Sequence, residues 1–485
     1  VLAWTMADVA RALGVETVAP ALAELPVRGF SIDSRTITSG ELFFAIRGPR
    51  FDGHDFVNAA LSAGACGAVV CRDRVGRYPE SLRPRLLGVD DPAEALGQAA
   101  RAVRWAWGQL PGRRLAAITG STGKTTTKEI LAALLGAVMP VLKSEGNLNN
   151  AYGLPLTLSR LVPEHRAAVV ELGMSARGEL RRLAAIAEPE VGVVTNVGPV
   201  HLEFFSSVDE IALAKRELIE GLTGADTVAV LNADDPRVAR FVEVVRGRVV
   251  WFGTGEHADV RLEEVEDRGL DGIAFALRTA REHRRLRLPL IGTHNAVNAA
   301  AAVAAAGLWG VGLEVAERVL AGLQPAPHRG EVVRYRQGFT VVDDCYNSNP
   351  AALASMVNWL ARLTGVRRKI LVAGEMLELG TAAAAMHREA GRLAACQVDW
   401  IFGVQGQARA LVEGALEAGH PPEQARFFET AEEAAAVVIQ MIEPGDVILL
   451  KGSRGVRLER VLERLATQAE PLGVQAPGRR GAGTH

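Results

Sequence analysis

Residues 115–129 read LAAITGSTGKTTTKE, and the order of their parts decides the fold. The apolar run 115–119 has the length and composition of a buried strand. Gly120-Ser-Thr-Gly123-Lys124-Thr125 follows, and a helix-forming segment covers 128–135. Strand, glycine loop and helix in this order make a cradle for nucleotide phosphates. Glycines let backbone N–H groups approach phosphate oxygens, the helix N-terminus favours negative charge, and Lys124 can reach the terminal phosphates. Gly120, Ser121, Thr122, Gly123, Lys124, Thr125 and Thr126 are the expected phosphate-loop residues. The Thr125 hydroxyl is the group that normally ligates the nucleotide's magnesium. The loop is shorter than a full Walker A pattern, because Ile118 stands where that pattern needs its first glycine. The bland alternative is a glycine-rich turn with an incidental lysine.

Outward from this loop the chain divides into three blocks. The first runs to about residue 112 and holds strand-like pieces at 42–46 and 67–71; the stretch 109–113, QLPGR, reads as a boundary loop. In the second block, 113–326, further strands are expected at 167–171, 191–196 and 227–232. Helical segments at 128–135 and 208–222 lie between them. Such alternation implies a parallel sheet covered on both faces. The alanine-rich run 298–307 is strongly helical by propensity. Residues 324–328, QPAPH, form a second hinge, since two prolines favour an extended path. The third block, 327–469, alternates again, with strands expected at 340–344, 369–373, 400–404 and 446–450. The tail 470–485, rich in Gly, Pro and Arg, is expected to be disordered. The fold class is α/β in three domains. A small N-terminal α/β domain precedes a central P-loop, parallel-sheet, ATPase-like domain and a C-terminal Rossmann-like domain. No internal repeat is found.

A chain of 485 residues suits about three domains. The net charge of −2 leaves no basic excess to neutralise nucleic-acid phosphates, so no nucleic-acid partner is expected. Cys66, Cys71, Cys345 and Cys396 include no CxxC pair, so they fit reduced thiols of a cytoplasmic protein better than a zinc site or a disulfide framework. No run of about twenty apolar residues lacks charge, so no membrane insertion is expected. The opening VLAWTMADVARALGV does not read as a signal peptide.

The short phosphate loop is of the form seen in the Mur ligase and folylpolyglutamate synthase superfamily, and other segments agree along nearly the whole chain. SIDSRTITSGELFFAIRGPRFDGHDFV at 31–57 resembles the first domain of ligases that accept UDP-muramoyl peptides. GNLNNAYGLPLTL at 146–158 follows the loop, and TNVGPVHLEFFSSVDEIALAKRELIEGL at 195–222 is similar to the superfamily's metal segment. THNAVNAAAA at 293–302, RGE at 329–331, GEMLELG at 374–380 and KGSRGVRLERV at 451–461 continue the series. ELGMSARGEL at 171–180, paired with DDCYNSNP at 343–350 and KGSR, resembles the branch that adds D-alanyl-D-alanine. Glu375 stands where the family usually has Asp, and Cys345 where it usually has Ser.

The resemblance implies an ATP-dependent, amide-forming ligase acting on ATP, a UDP-muramoyl-tripeptide and D-alanyl-D-alanine, with Mg²⁺. A peptide carboxylate takes the γ-phosphoryl group to give an acyl phosphate; an amine then attacks, giving a tetrahedral intermediate that expels phosphate. Two anions meet in the first step, so the site must neutralise charge. The implied catalytic set is Lys124, Glu171, His201 and Lys215, and the implied metal set is Thr125, Glu171, His201 and Lys215. Glu171 ends an expected strand, where open α/β sheets place ligand chemistry, although an exposed turn carboxylate is the alternative. His201 alone could equally be structural, and Mg²⁺ prefers oxygen, so it must act with several oxygens.

Asn295 and Asn298 lie on one helix face and could read an adenine edge, or cap the helix. Arg329 and Asp344 are implied to reach ATP from the third domain when it closes, with an interdomain salt bridge as the alternative. Ser34 and Arg35 match positions tied to the UDP-sugar end. Asn147 and Asn150 could bind the muramoyl peptide, or cap the turn that follows. The pair Asp234–Asp235 reads as a strand-end turn without chemistry. Several superfamily members carry a carbamylated lysine at the place of Lys215; the alternatives are a surface lysine paired with Glu217 or Glu220, or an unmodified lysine on phosphate. The chain is expected to act as a monomer. Rival functions are a sister ligase adding a diamino acid or glutamate, and a P-loop ATPase switch. The diaminopimelate-adding sister carries an Asp-Asn-Pro-Arg run, which this chain lacks.

Overall fold

The computed structural model describes residues 4–15, 19–200 and 202–472. His201 and residues 473–485, to which a metal ligand and most of the tail were assigned, lie outside them. Three sheets account for the three blocks. The first is a four-stranded parallel sheet in the order Gly29–Ser31, Glu41–Phe44, Gly67–Cys71, Leu86–Val89. The helix Pro92–Gly108 leaves it, started by the Asp91 side chain, which accepts from the Ala93 N–H at 2.7 Å.

That helix joins the first block to the second. Leu96, Val103 and Trp107 are buried in one apolar cluster that runs from Phe30 and Leu42 to Leu154, Leu183 and Val194. Trp107 is fully buried and donates from its indole N–H to the His165 carbonyl at 3.1 Å. Burial of such a side chain contributes roughly 2–3 kcal/mol. Arg104 on the same helix donates to the Ala187 carbonyl at 2.8 Å and pairs with Glu190 at 2.5 Å. The first sheet is therefore fastened to the second by packing as well as by the chain.

The central sheet has nine strands. Its order is His283–Leu288, Ile273–Arg278, Val260–Asp267, Arg248–Gly253, Val228–Asn232, Val191–Val194, Arg114–Thr119, Ala167–Glu171, Val141–Lys143. The strands expected at 167–171, 191–196 and 227–232 are there, parallel and almost wholly buried. The sheet is not parallel throughout. Strands 260–267, 273–278 and 283–288 pair antiparallel and extend it. The last reads HRRLRL, a period-2 pattern from Arg285 onward with Leu286 and Leu288 buried and Arg285 and Arg287 exposed, and Arg285 pairs with Glu264 at 3.1 Å. The alanine-rich segment forms the helix His294–Ala306, every Ala and Val of which except Val297 is buried against this sheet and against Lys124–Gly136. Alanine's small side chain allows that close approach.

The third sheet runs Glu331–Arg334, Thr340–Asp343, Val447–Lys451, Lys369–Gly374, Trp400–Val404, Ala425–Phe428, parallel except for the first pair. Glu470–Leu472, which composition assigned to the tail, instead hydrogen-bonds along the first strand: Arg336 N–H donates to the Glu470 carbonyl at 3.0 Å and Leu472 N–H to the Arg334 carbonyl at 2.7 Å. The joint 324–328 is irregular, and the third sheet lies against the second. Ile291 packs among Val342 and Leu353, Arg334 pairs with Asp271 at 2.7 Å, and Glu203 N–H donates to the Glu378 carbonyl at 3.4 Å. Among the described residues no helix is long and apolar enough to cross a membrane.

Candidate active site at the phosphate loop

At the carboxyl end of the central strand Arg114–Thr119, the backbone turns through Gly120 with φ +153° and Gly123 with φ +80°, and enters the helix Lys124–Gly136. Both positions require glycine. A Cβ at Gly120 would lie 1.9 Å from Thr195 Oγ1, and one at Gly123 2.1 Å from Asn298 Oδ1. The loop is held from outside by the segment 195–198. Asn196 Oδ1 accepts from the Thr122 N–H at 2.9 Å, its carbonyl accepts from the Ser121 N–H at 2.9 Å, and Thr195 Oγ1 donates to the Thr122 carbonyl at 2.6 Å. Ser121 Oγ in turn accepts from the Gly198 N–H at 2.8 Å. Lys124 folds over the loop, its ammonium donating to the Gly120 carbonyl at 2.9 Å. Burial lowers the Lys124 pKa; Glu171 opposes that shift and Arg329 adds to it. Thr126 occupies the first turn of the helix, half-buried.

Glu171 ends its strand 3% exposed, beside the loop. Its Oε2 accepts from Thr125 Oγ1 at 2.7 Å and its Oε1 from Asn149 Nδ2 at 2.9 Å. Its own N–H donates to Ser144 Oγ at 3.0 Å, and the Ser144 carbonyl accepts from the fully buried Lys128 ammonium at 2.7 Å. Burial excludes the exposed-turn alternative for Glu171. Lys215, on the helix Val208–Glu220, is 2% exposed, and no hydrogen bond or ion pair to its side-chain nitrogen occurs among the described residues. Its pKa is driven well down by burial, and further by Lys124. The surface-pair alternative fails, because Glu217 accepts from the Gly178 and Arg181 N–H groups and Glu220 pairs with Arg216 at 2.8 Å.

From the third sheet, Arg329 stacks on the Tyr346 ring at 4.2 Å, and Asp344 pairs with Lys451 at 2.7 Å. Both partners belong to the same block, so these are not the interdomain bridges that the sequence left open. The Tyr346 pKa is raised by burial, lowered by Arg329 and raised by Glu171, so the tyrosine stands at the same centre. Asn295 and Asn298 are buried; Asn298 Nδ2 donates to Asn295 Oδ1 at 2.9 Å and Asn295 Nδ2 to the Ile291 carbonyl at 2.8 Å. Thr293, not either asparagine, precedes the helix.

Other expected residues stand apart. Arg35 is exposed, and its guanidinium donates to Asp33 at 2.6 and 2.9 Å; that bond holds the Asp33 carboxyl at about 2. Ser34 is half-buried in the same turn. Asn147 is exposed, and Asn150 Oδ1 accepts from the Tyr152 and Gly153 N–H groups at 3.1 and 2.9 Å, which is the capping alternative. Asp235 likewise caps the helix Pro236–Ala239, and Asp234 accepts from Thr254, as a strand-end turn requires. Sequence reasoning passed over Asn149, Ser144, Lys128, Asn196 and Tyr346. Asn149 and Asn196 lay inside the quoted motifs, but three nearby asparagines in GNLNN cannot be ranked without packing.

Comparison with known proteins agrees along the length of the chain. Family models match as follows: Mur ligase family, catalytic domain, at 26–104; Mur ligase middle domain at 118–306; Mur ligase, glutamate ligase domain, at 328–454. The UDP-N-acetylmuramoyl-tripeptide--D-alanyl-D-alanine ligase of Bacillus subtilis (strain 168) is 34% identical over 447 residues, 92% of this chain and 94% of that protein. Among solved structures, MurF from Acinetobacter baumannii superposes with a TM-score of 0.83 at 32% identity, covering 96% of this chain and 99% of that one. The MurF ligase of Thermotoga maritima in complex with ADP superposes at 0.76 with 31% identity, covering 91% and 97%. Phosphate loop, three-sheet architecture and these matches lead to one conclusion: the chain belongs to the Mur ligase family.

Proposed function

We propose that the chain is an ATP-dependent ligase that joins D-alanyl-D-alanine to the terminal carboxylate of UDP-N-acetylmuramoyl-tripeptide, in cytoplasmic peptidoglycan precursor synthesis. The observation that carries the reading is the convergence at one strand end of the phosphate loop, the Thr125–Glu171 pair and Lys215, whose side chain has no partner among the described residues, with Arg329 and Tyr346 reaching it from the third block. The full-length likeness to ligases of that name supports the substrate assignment. We assign the UDP-sugar to the unit 1–112, ATP to 113–326 and closure over ATP to 327–469.

Lys124 and the loop N–H groups neutralise the γ-phosphate as the peptide carboxylate attacks phosphorus. One P–O bond forms and the bond to ADP breaks; the amine of D-alanyl-D-alanine then adds to the acyl carbon, loses a proton, and phosphate leaves. Arg329 acts electrostatically on Lys124, and its planar guanidinium is suited to a phosphate oxygen. Asp344, held by Lys451, is oriented to accept from ribose hydroxyls. Asn298 borders the loop and donates to Asn295 behind it, and this amide pair is suited to reading an adenine edge. Ser34 and Arg35 would meet the UDP end, and Asn147 and Asn150 the peptide. The hard oxygen donors of Thr125 and Glu171 fit Mg²⁺. With His201 and Lys215 they would hold the ion, which supplies charge neutralisation to the phosphates.

An ammonium does not ligate Mg²⁺. Burial favours the neutral Lys215 amine, which adds CO₂ and loses a proton to give a carbamate with two hard oxygens. We therefore read Lys215 as carbamylated. The chain is expected to work as a monomer, since blocks of one chain complete the centre; sedimentation at working concentration tests this. Four unpaired cysteines suit a reducing compartment. For the function itself, ADP release should require ATP, UDP-muramoyl-tripeptide and D-alanyl-D-alanine together, with the pentapeptide product seen by mass spectrometry. ATP hydrolysis without the other substrates, and no product, would instead mark an ATPase switch.

A further inference from the structure

The chain carries a second cluster of ligating groups at the joint into the third sheet. His328 precedes the strand Glu331–Arg334, Asp343 ends the antiparallel strand beside it, and Cys345 follows two residues on. His328 Nδ1 lies 2.6 Å from Asp343 Oδ2, and Cys345 Sγ donates to Asp343 Oδ1 at 2.9 Å. One ligand atom from each of the three lies within 4.8 Å of the others. Asp343 and Cys345 are each 1% exposed, whereas the His328 side chain is 28% exposed and leaves a way in from solvent.

We propose that His328, Asp343 and Cys345 form a binding site for a thiolate-preferring divalent ion of the Zn²⁺ class, separate from the magnesium centre. Imidazole, carboxylate and thiolate are the donors such an ion takes, and Mg²⁺ does not favour sulfur. Tetrahedral ligands of Zn²⁺ stand roughly 3.3–3.6 Å apart, so the His328–Asp343 contact of 2.6 Å and the Cys345–Asp343 contact of 2.9 Å open by roughly 0.5–1 Å as the ion enters between the three groups. On binding, the thiol proton passes to solvent and the metal–sulfur bond replaces the S–H···O contact. Cys345 decides the matter, since the serine usual in the family offers no thiolate. The ion would tie residue 328 to 343 and 345, and so brace Arg329 and Asp344, the neighbours of two ligands.

Co²⁺ added to the full chain with excess Mg²⁺ is the test, because cobalt bound only by oxygen gives no thiolate charge-transfer band. A near-ultraviolet thiolate band saturating at one equivalent is expected, displaced by Zn²⁺. It should be lost in both Cys345→Ser and His328→Ala and kept in Cys396→Ser, which removes the exposed thiol. Absence of the band in the folded wild-type chain overturns the proposal, as does a band that survives either Cys345→Ser or His328→Ala.

Discussion

The phosphate-loop centre and the Ser34–Arg35 turn differ in how their charged groups are held. Around Glu171 both carboxylate oxygens and the N–H are held: Thr125 and Asn149 on the oxygens, Ser144 on the N–H, and Lys128 behind Ser144. Around the exposed Arg35 guanidinium the one partner among the described residues is Asp33. A network inside the protein keeps its geometry and its electrostatic strength, whereas an exposed pair is screened and loses entropy when ordered. Chemistry that needs a fixed charge arrangement therefore belongs at the first region, and the second can contribute binding of a remote part of the substrate.

The largest expected effect lies in the packed region. Lys124→Ala or Glu171→Ala should keep the fold, by circular dichroism and melting, and lose at least about 1,000-fold in kcat, as removal of preorganised charge stabilisation does. Near-normal turnover in either folded variant would break the comparison at its root. Next is Lys215→Ala, expected to lose at least about 100-fold and to regain part of it with short carboxylic acids, which supply the missing oxygens. Bicarbonate depletion should lower wild-type activity reversibly. A bare ammonium in high-resolution density of an active, magnesium-loaded complex would refute the carbamate.

Asn149→Ala sharpens the comparison, because Asn149 acts only through Glu171. The expected loss is about 10- to 100-fold, with a higher Mg²⁺ requirement and unchanged affinity for the UDP-linked substrate. Arg35→Ala marks the other extreme: KM for the UDP-linked substrate rises by no more than about tenfold and kcat stays constant. Its stability effect has a definite pH window. The Asp33 carboxyl sits at about 2 against an ordinary 3.8, so the pair stabilises the fold above about 4. That contribution fades as pH falls through 4 towards 2. Melting curves of wild type and Arg35→Ala should converge in that range; a gap that widens on acidification would contradict the assignment.

What could be read in advance follows a physical line. Strands buried on both faces are short apolar runs bounded by glycine or polar residues, so 67–71, 167–171 and 400–404 were legible. The antiparallel extension 260–288 was not: its outer members 260–267 and 283–288 mix charged with apolar residues and resemble a surface segment, and the apolar run 273–278 between them has no α-helix beside it to mark a repeating strand–helix unit. At the site, Gly120, Gly123, Lys124 and Thr125 were legible because the loop's function requires them at fixed spacing within six residues. Asn149 was not separable from Asn147 and Asn150, which differ from it only in direction.

By itself the sequence determined the nucleotide cradle, the three-block α/β order and the family resemblance, all of which rest on local spacing and composition. Only the tertiary structure decided that Lys215 is buried without a described partner, that Asn149 and Ser144 hold Glu171, and that Asp344 meets Lys451 rather than another block. It also brought His328 to Asp343 and Cys345. Burial and pairing across 15 to 107 residues depend on how the sheets stack, and desolvation and hydrogen-bond partners arise only once that stacking has excluded water.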